Sequence, residues 1–84
     1  MSEFIVKVSA LFWDDHCSRD LDFTSEEIAR NKLTVTLKMS KDALYELWSD
    51  ADYYASFEGE EARDNRSVVG AANSTLRALA RQGF

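Results

Sequence analysis

Residues 40–57, SKDALYELWSDADYYASF, constrain the fold more than any other stretch of this chain. On a 3.6-residue wheel Leu44, Leu47, Trp48, Ala51, Tyr54 and Ala55 fall on one arc, the pattern of an amphipathic helix with a single buried face. Ser40 is placed to cap its N-terminus, because a serine hydroxyl accepts one of the orphan backbone N–H groups of the first turn. Met39 before the cap and Leu44 within the first turns have the spacing of a hydrophobic staple. Asp42 and Glu46 lie near the positive end of the helix dipole. A second stripe, Glu46, Asp50, Tyr53 and Phe57, runs on the opposite side. Two readings of this stripe stand open: Tyr53 and Phe57 pack beneath another element, or the four residues form a partner-binding patch.

The residues before this helix read as strands. In 3–13, EFIVKVSALFW, Phe4, Val6, Val8, Ala10 and Phe12 alternate onto one face, which predicts a half-buried strand. In 32–39, KLTVTLKM, Leu33, Val35, Leu37 and Met39 alternate with Lys32, Thr34, Thr36 and Lys38. This predicts a second strand, antiparallel to the first, with its lysine and threonine face in solvent. A two-stranded sheet is marginal alone. It is therefore expected to gain a short third element from residues 18–30, or to be completed by dimerisation. Thr24 and Glu27 have capping-box spacing, which predicts a helical turn over 25–30. A third strand from 18–24 is the alternative, and Leu21, Phe23 and Ile28 are the expected anchors to the core.

After the central helix, EGEEARDN reads as an acidic link with Gly59 as a natural stop. Residues 66–81, RSVVGAANSTLRALAR, predict a second helix capped by Asp64 or Asn65. Val68, Val69, Ala72, Leu76 and Leu79 form its buried face, and Arg66, Gly70, Ser74, Arg77 and Arg81 its outer one. Gly83 followed by Phe84 predicts a Schellman cap in which Phe84 reaches back to Leu79. The expected architecture is thus a single domain over 1–84 of the α+β class, β-β-α-α, with a small antiparallel sheet packed against a helical hairpin.

Charge is distributed unevenly over the 84 residues, whose formal net charge is −5. Residues 40–64 carry eight acids against two bases, net −6, whereas 65–84 carry three arginines and no acid, net +3. The acidic total argues against a general nucleic-acid binder, and the asymmetry points to a surface that meets a charged partner. With one cysteine, Cys17, no intramolecular disulfide and no four-cysteine zinc site can form. No basic, then apolar, leader opens the sequence and no apolar run approaches a membrane span, so the expected location is the cytoplasm.

The chemically richest stretch is Asp14-Asp15-His16-Cys17, but it gives no workable site. Adjacent residues in an extended segment point to opposite sides, so imidazole and thiol do not form a nucleophilic pair. Consecutive donors rarely enclose a tetrahedral ion. Gly59, Gly70 and Gly83 are scattered and form no phosphate loop. The expectation is a non-enzymatic chain without cofactor or metal. FWDDHCSRDL between two strands, followed by LYELWSDADYYASF and an Ala-rich terminal helix, resembles small accessory proteins of bacteriophages and other mobile elements. That resemblance implies a small acidic cytoplasmic protein that acts by binding, with a host protein as partner, and it assigns no site residue.

The function this predicts is a protein–protein interaction module, with Glu46, Asp50, Tyr53, Phe57, Arg66, Arg77 and Arg81 as the partner-binding candidates. Two alternatives accompany it. One is a homodimer that pairs open strand edges or the two charged stripes. The other is an acidic mimic of nucleic acid, carried by Asp50, Asp52, Glu58, Glu60, Glu61 and Asp64.

Overall fold

A computed structural model describes residues 3–17 and 25–84. Strand β1 (Glu3–Ser9) leads into a helical turn α1 (Ala10–Phe12), which continues as a π-type turn over Trp13–Cys17. Strands β2 (Ser25–Arg30) and β3 (Thr34–Ser40) follow, then helices α2 (Lys41–Ala55), α3 (Gly59–Asp64) and α4 (Arg66–Arg81). The three strands form one sheet in the order β1-β3-β2, antiparallel throughout. Helices α2 and α4 pack on one face of this sheet, so the α+β class and the helical hairpin over an antiparallel sheet hold.

The cleanest alternating strand is the central one. Val6 opposite Leu37 and Val8 opposite Val35 turn one way and are fully buried, as is Met39, which faces half-buried Phe4. Ile5 opposite Lys38 and Lys7 opposite Thr36 turn the other way, because directly opposed residues share a face. Ala43, Leu44, Leu47 and Ala51 of α2 meet the buried face together with Val68, Ala71, Ala72, Thr75 and Leu79 of α4. Ser40 caps α2 by accepting the Ala43 N–H at 3.1 Å.

The first strand stops four residues earlier than its alternation implied. Ser9 turns the chain by accepting the Phe12 N–H at 3.3 Å, and Ala10 donates its own N–H to Leu33 O at 3.1 Å. Ala10 and Phe12 are buried as expected, but from a helical turn that also buries Trp13. Ala10 and Phe12, two residues apart, fit both a strand's period and a single helical turn, and an alternation this short does not separate the cases.

Residues 25–30 form the third strand and not the helical turn that the Thr24/Glu27 spacing predicted. β3 needs hydrogen-bonding partners on both sides, and that long-range pairing outweighs a local capping preference. The register slips between Glu27 and Ala29, so Ile28 is a bulge residue and half exposed; it does not anchor the core. Asn31 turns β2 into β3 by accepting the Leu33 and Thr34 N–H groups, both at 2.8 Å. That tight turn lifts Leu33 out of the strand and leaves it 79% exposed, contrary to its expected inward position. Leu21, Phe23 and the alternative strand at 18–24 lie outside the described residues. The third strand comes from the chain itself, which removes the two-stranded sheet as a reason to dimerise.

The acidic link condenses into α3, with Gly59 (φ 60°) beginning that helix. Asn65 precedes α4 but its side chain gives no N-cap; it turns back and donates to Glu61 O at 2.8 Å. At the other end the Schellman cap forms as expected. Phe84 N–H reaches Leu79 O at 2.8 Å and Gly83 N–H reaches Ala80 O at 3.1 Å, with Gly83 at φ 95°. Gln82 adds a contact with no sequence signal. Its side-chain oxygen accepts the Lys7 N–H at 2.9 Å, and its side-chain nitrogen donates to Lys7 O at 2.8 Å. One glutamine amide thereby occupies a rung on the free edge of β1.

Candidate functional site

α2 presents three different flanks, and each has a physical cause. Its core arc ends at Trp48, which sequence periodicity placed inside. The indole sits at the margin of the arc, so only one side of it is covered and it remains 41% exposed. Beside it stand Tyr45, 66% exposed, and Phe84, 43% exposed, with Lys41, Leu44 and Leu79. Together they line a shallow, mostly apolar cleft of about 370 Å³ between α2 and the end of α4. The cleft is held from behind: Phe84 packs edge-on against Phe4, with ring centroids 5.5 Å apart, and its backbone is fixed by the Schellman cap. Aromatic pairs of this geometry add about 0.5–1.5 kcal/mol beyond burial. Trp48 could have been suspected from Asp52, one turn on, which belongs to a solvent-facing flank.

On the far flank the predicted stripe divides. Tyr53 is exposed, while Glu46, Asp50 and Phe57 are half-buried. Tyr53, Tyr54 and Phe57 pack mutually edge-on at 5.1–5.5 Å, and Tyr54 leans on buried Phe12 at 6.1 Å. Tyr54 thus belongs to the margin of the core, Phe57 packs on it, and Tyr53 is the exposed member of the stripe.

The three arginines are all exposed, on the outer flank of α4. Arg66 and Arg81 line a groove of about 510 Å³ between this flank and the turns that follow β1 and β2. The structure brings Lys32 and Leu33 of the β2–β3 turn, and Leu11 of α1, to the same groove. Those three were not candidates, because only the tertiary fold joins residues 11, 32 and 33 to a helix that begins at 66. Arg77 stands next to the groove and donates to Ser74 Oγ at 3.3 Å. The seven predicted residues therefore fall on two separate surfaces, one on α2 and the residues just after it and one on α4.

The Asp14–Cys17 stretch forms the π-type turn after β1. Asp14 accepts two bonds from Arg30, Nη1 to Oδ2 at 2.9 Å and Nη2 to Oδ1 at 2.8 Å. Arg30 also donates its Nε to Glu27 at 2.9 Å. The Arg30 guanidinium holds the Asp14 carboxyl below its ordinary range, and the two carboxylates push Arg30 further up. This fork ties the turn to β2. Among the described residues, no three His, Cys, Asp or Glu side chains gather as metal ligands, and no helix is long and apolar enough to cross a membrane.

No protein-family model matches the chain, and neither a curated protein nor a solved structure is detectably similar to it.

Proposed function

We propose that this chain is a non-enzymatic protein-binding module whose contact site is the cleft formed by Trp48, Tyr45 and Phe84. The observation that carries this reading is the exposure of three large aromatics around one apolar depression with a rigid floor. Trp and Tyr dominate binding energy at interfaces because they bury much area with few rotatable bonds. Leu44 and Leu79, both buried, supply the floor, so a partner's apolar side chain enters a preformed site and little ordering cost opposes it. The Lys41 side chain at the rim favours a partner with an acid beside its apolar anchor. The resemblance to phage accessory proteins makes a host protein the expected partner.

The test is affinity capture from host lysate followed by titration of the purified partner. Trp48→Ala is expected to weaken binding at least thirtyfold, a loss of about 2 kcal/mol, with the circular dichroism spectrum preserved. Trp13 is buried, so emission from Trp48 shifts to the blue when the cleft is covered. A partner bound equally well by wild type, Trp48→Ala and Tyr45→Ala would refute this site.

A further inference from the structure

We infer that the basic flank of α4 is a self-docking surface, which receives the acidic outer face of α2 from a second copy of this chain. The inference uses a surface separate from the aromatic cleft and does not depend on it.

The groove on this flank is lined by Lys32, Arg66 and Arg81, and a smaller depression continuous with it, through Thr34, Ala78 and Arg81, adds Lys7. Among the described residues neither depression is lined by an acid, in a chain whose net charge is −5. Its cations do not converge on a point. Arg66 and Arg81 are fifteen residues apart on one helix, about 22 Å at 1.5 Å per residue. That spacing suits an elongated partner and not a small anion. Between them Ser67, Gly70, Ala71, Ser74 and Ala78 form the floor. Side chains this small allow another helix to lie close to the α4 backbone.

The walls separate a polypeptide from a nucleic acid. Leu11 and Leu33 stand exposed beside the cations, where they would face a phosphate backbone without benefit. Among the described residues no aromatic lines the groove, so none offers bases a surface on which to stack. An acidic helix with an apolar contact satisfies both walls and rim. α2 is such a helix. Its fifteen residues span about 22 Å, matching the separation of Arg66 and Arg81. Asp42 and Tyr53 stand exposed on its outer face, with Glu46 half-exposed between them, while Asp52 is exposed on the adjoining flank, one turn beyond Trp48. α2 carries four acids and one lysine, net −3, against the +3 of 65–84. Within one molecule the two surfaces belong to adjacent, packed helices and face apart, so a second copy is what can bring them together.

The experiment is sedimentation velocity over a wide concentration range, at low salt and at about 1 M salt, where the screening length falls to about 3 Å. At low salt the weight-average mass is expected to rise above the monomer with concentration, and at high salt to return to it. Arg66→Glu/Arg81→Glu and Asp42→Lys/Glu46→Lys should each stay monomeric, and their equimolar mixture should associate again. Both variants must be folded for the mixture to recover. Gly70→Phe supplies an independent block, because a Cβ at Gly70 meets nothing within 4 Å; the monomer accommodates it and the groove floor is filled. A wild type that is monomeric at every concentration in low salt overturns the inference, as does association that survives Gly70→Phe. So does a monomer that shifts a DNA or RNA oligonucleotide in a manner abolished by Arg66→Glu/Arg81→Glu, which would give the groove to phosphates.

Discussion

One substitution made at two glycines should change stability in opposite directions. Gly70 lies inside α4, a regular helix, at ordinary helical backbone angles, and a Cβ there meets no atom within 4 Å. Alanine at this position loses no contact, and it narrows the unfolded ensemble. The expected gain is about 0.5–1 kcal/mol, the usual cost of glycine inside a helix. For a domain of this size each kcal/mol moves the melting temperature by roughly 4–8 °C, so Gly70→Ala should melt about 2–8 °C higher. Gly83 has equally open surroundings but sits at φ 95°, where a Cβ crowds the following carbonyl. Alanine there should cost about 1–2 kcal/mol and also loosen the two capping bonds from Gly83 and Phe84. Thermal unfolding of both variants, followed by circular dichroism, measures the two shifts against wild type. If Gly70→Ala melts no higher, the α4 flank is filled in solution or the helix is broken there. If Gly83→Ala melts as wild type does, the Schellman cap does not hold the C-terminus.

Gln82→Ala removes the side chain that bridges Lys7 N–H, Lys7 O and Ala78 O; a loss of about 1–2 kcal/mol is expected, and faster hydrogen exchange at the Lys7 amide is the direct check. Thr75 is fully buried, and among the described residues its hydroxyl has no hydrogen-bond partner. Thr75→Val, near-isosteric, should stabilise by about 1–3 kcal/mol, read as a higher urea midpoint with an unchanged slope. Because Arg30 depresses the Asp14 carboxyl, the pairing contributes above the unfolded aspartate value of about 3.9 and is lost as pH falls through the lower folded value. Wild type should therefore exceed Asp14→Asn in stability at neutral pH, and the two should converge in acid. A constant offset across that range would contradict the pairing.

The local elements were legible where one physical signal acted alone. Alternation of Val35, Leu37 and Met39 with Thr34, Thr36 and Lys38 identified a half-buried strand. Ser40, the apolar arc and the terminal Gly83-Phe84 pair defined helix starts, faces and ends, because caps and periodicity depend on neighbours within a turn or two. Where local and distant demands competed, the distant one prevailed. Ser25–Arg30 carries half of a capping box yet pairs with β3, since the central strand's backbone groups need partners on both sides. Trp48 lies at the edge of its arc, and only the position of Phe84 and Leu79 decides how much of the ring is covered.

The same division holds for the surfaces. Composition and order alone determined that acid gathers in residues 40–64 and base in 65–84, and that Arg66, Arg77 and Arg81 share one flank of a helix. The tertiary structure decided which of them, Arg66 and Arg81, line one groove. It carried Leu11, Lys32 and Leu33 to that flank and set Trp48 beside Phe84. Periodicity orders residues around one element, whereas a groove is made by two or more, and the packing that joins them depends on the whole chain.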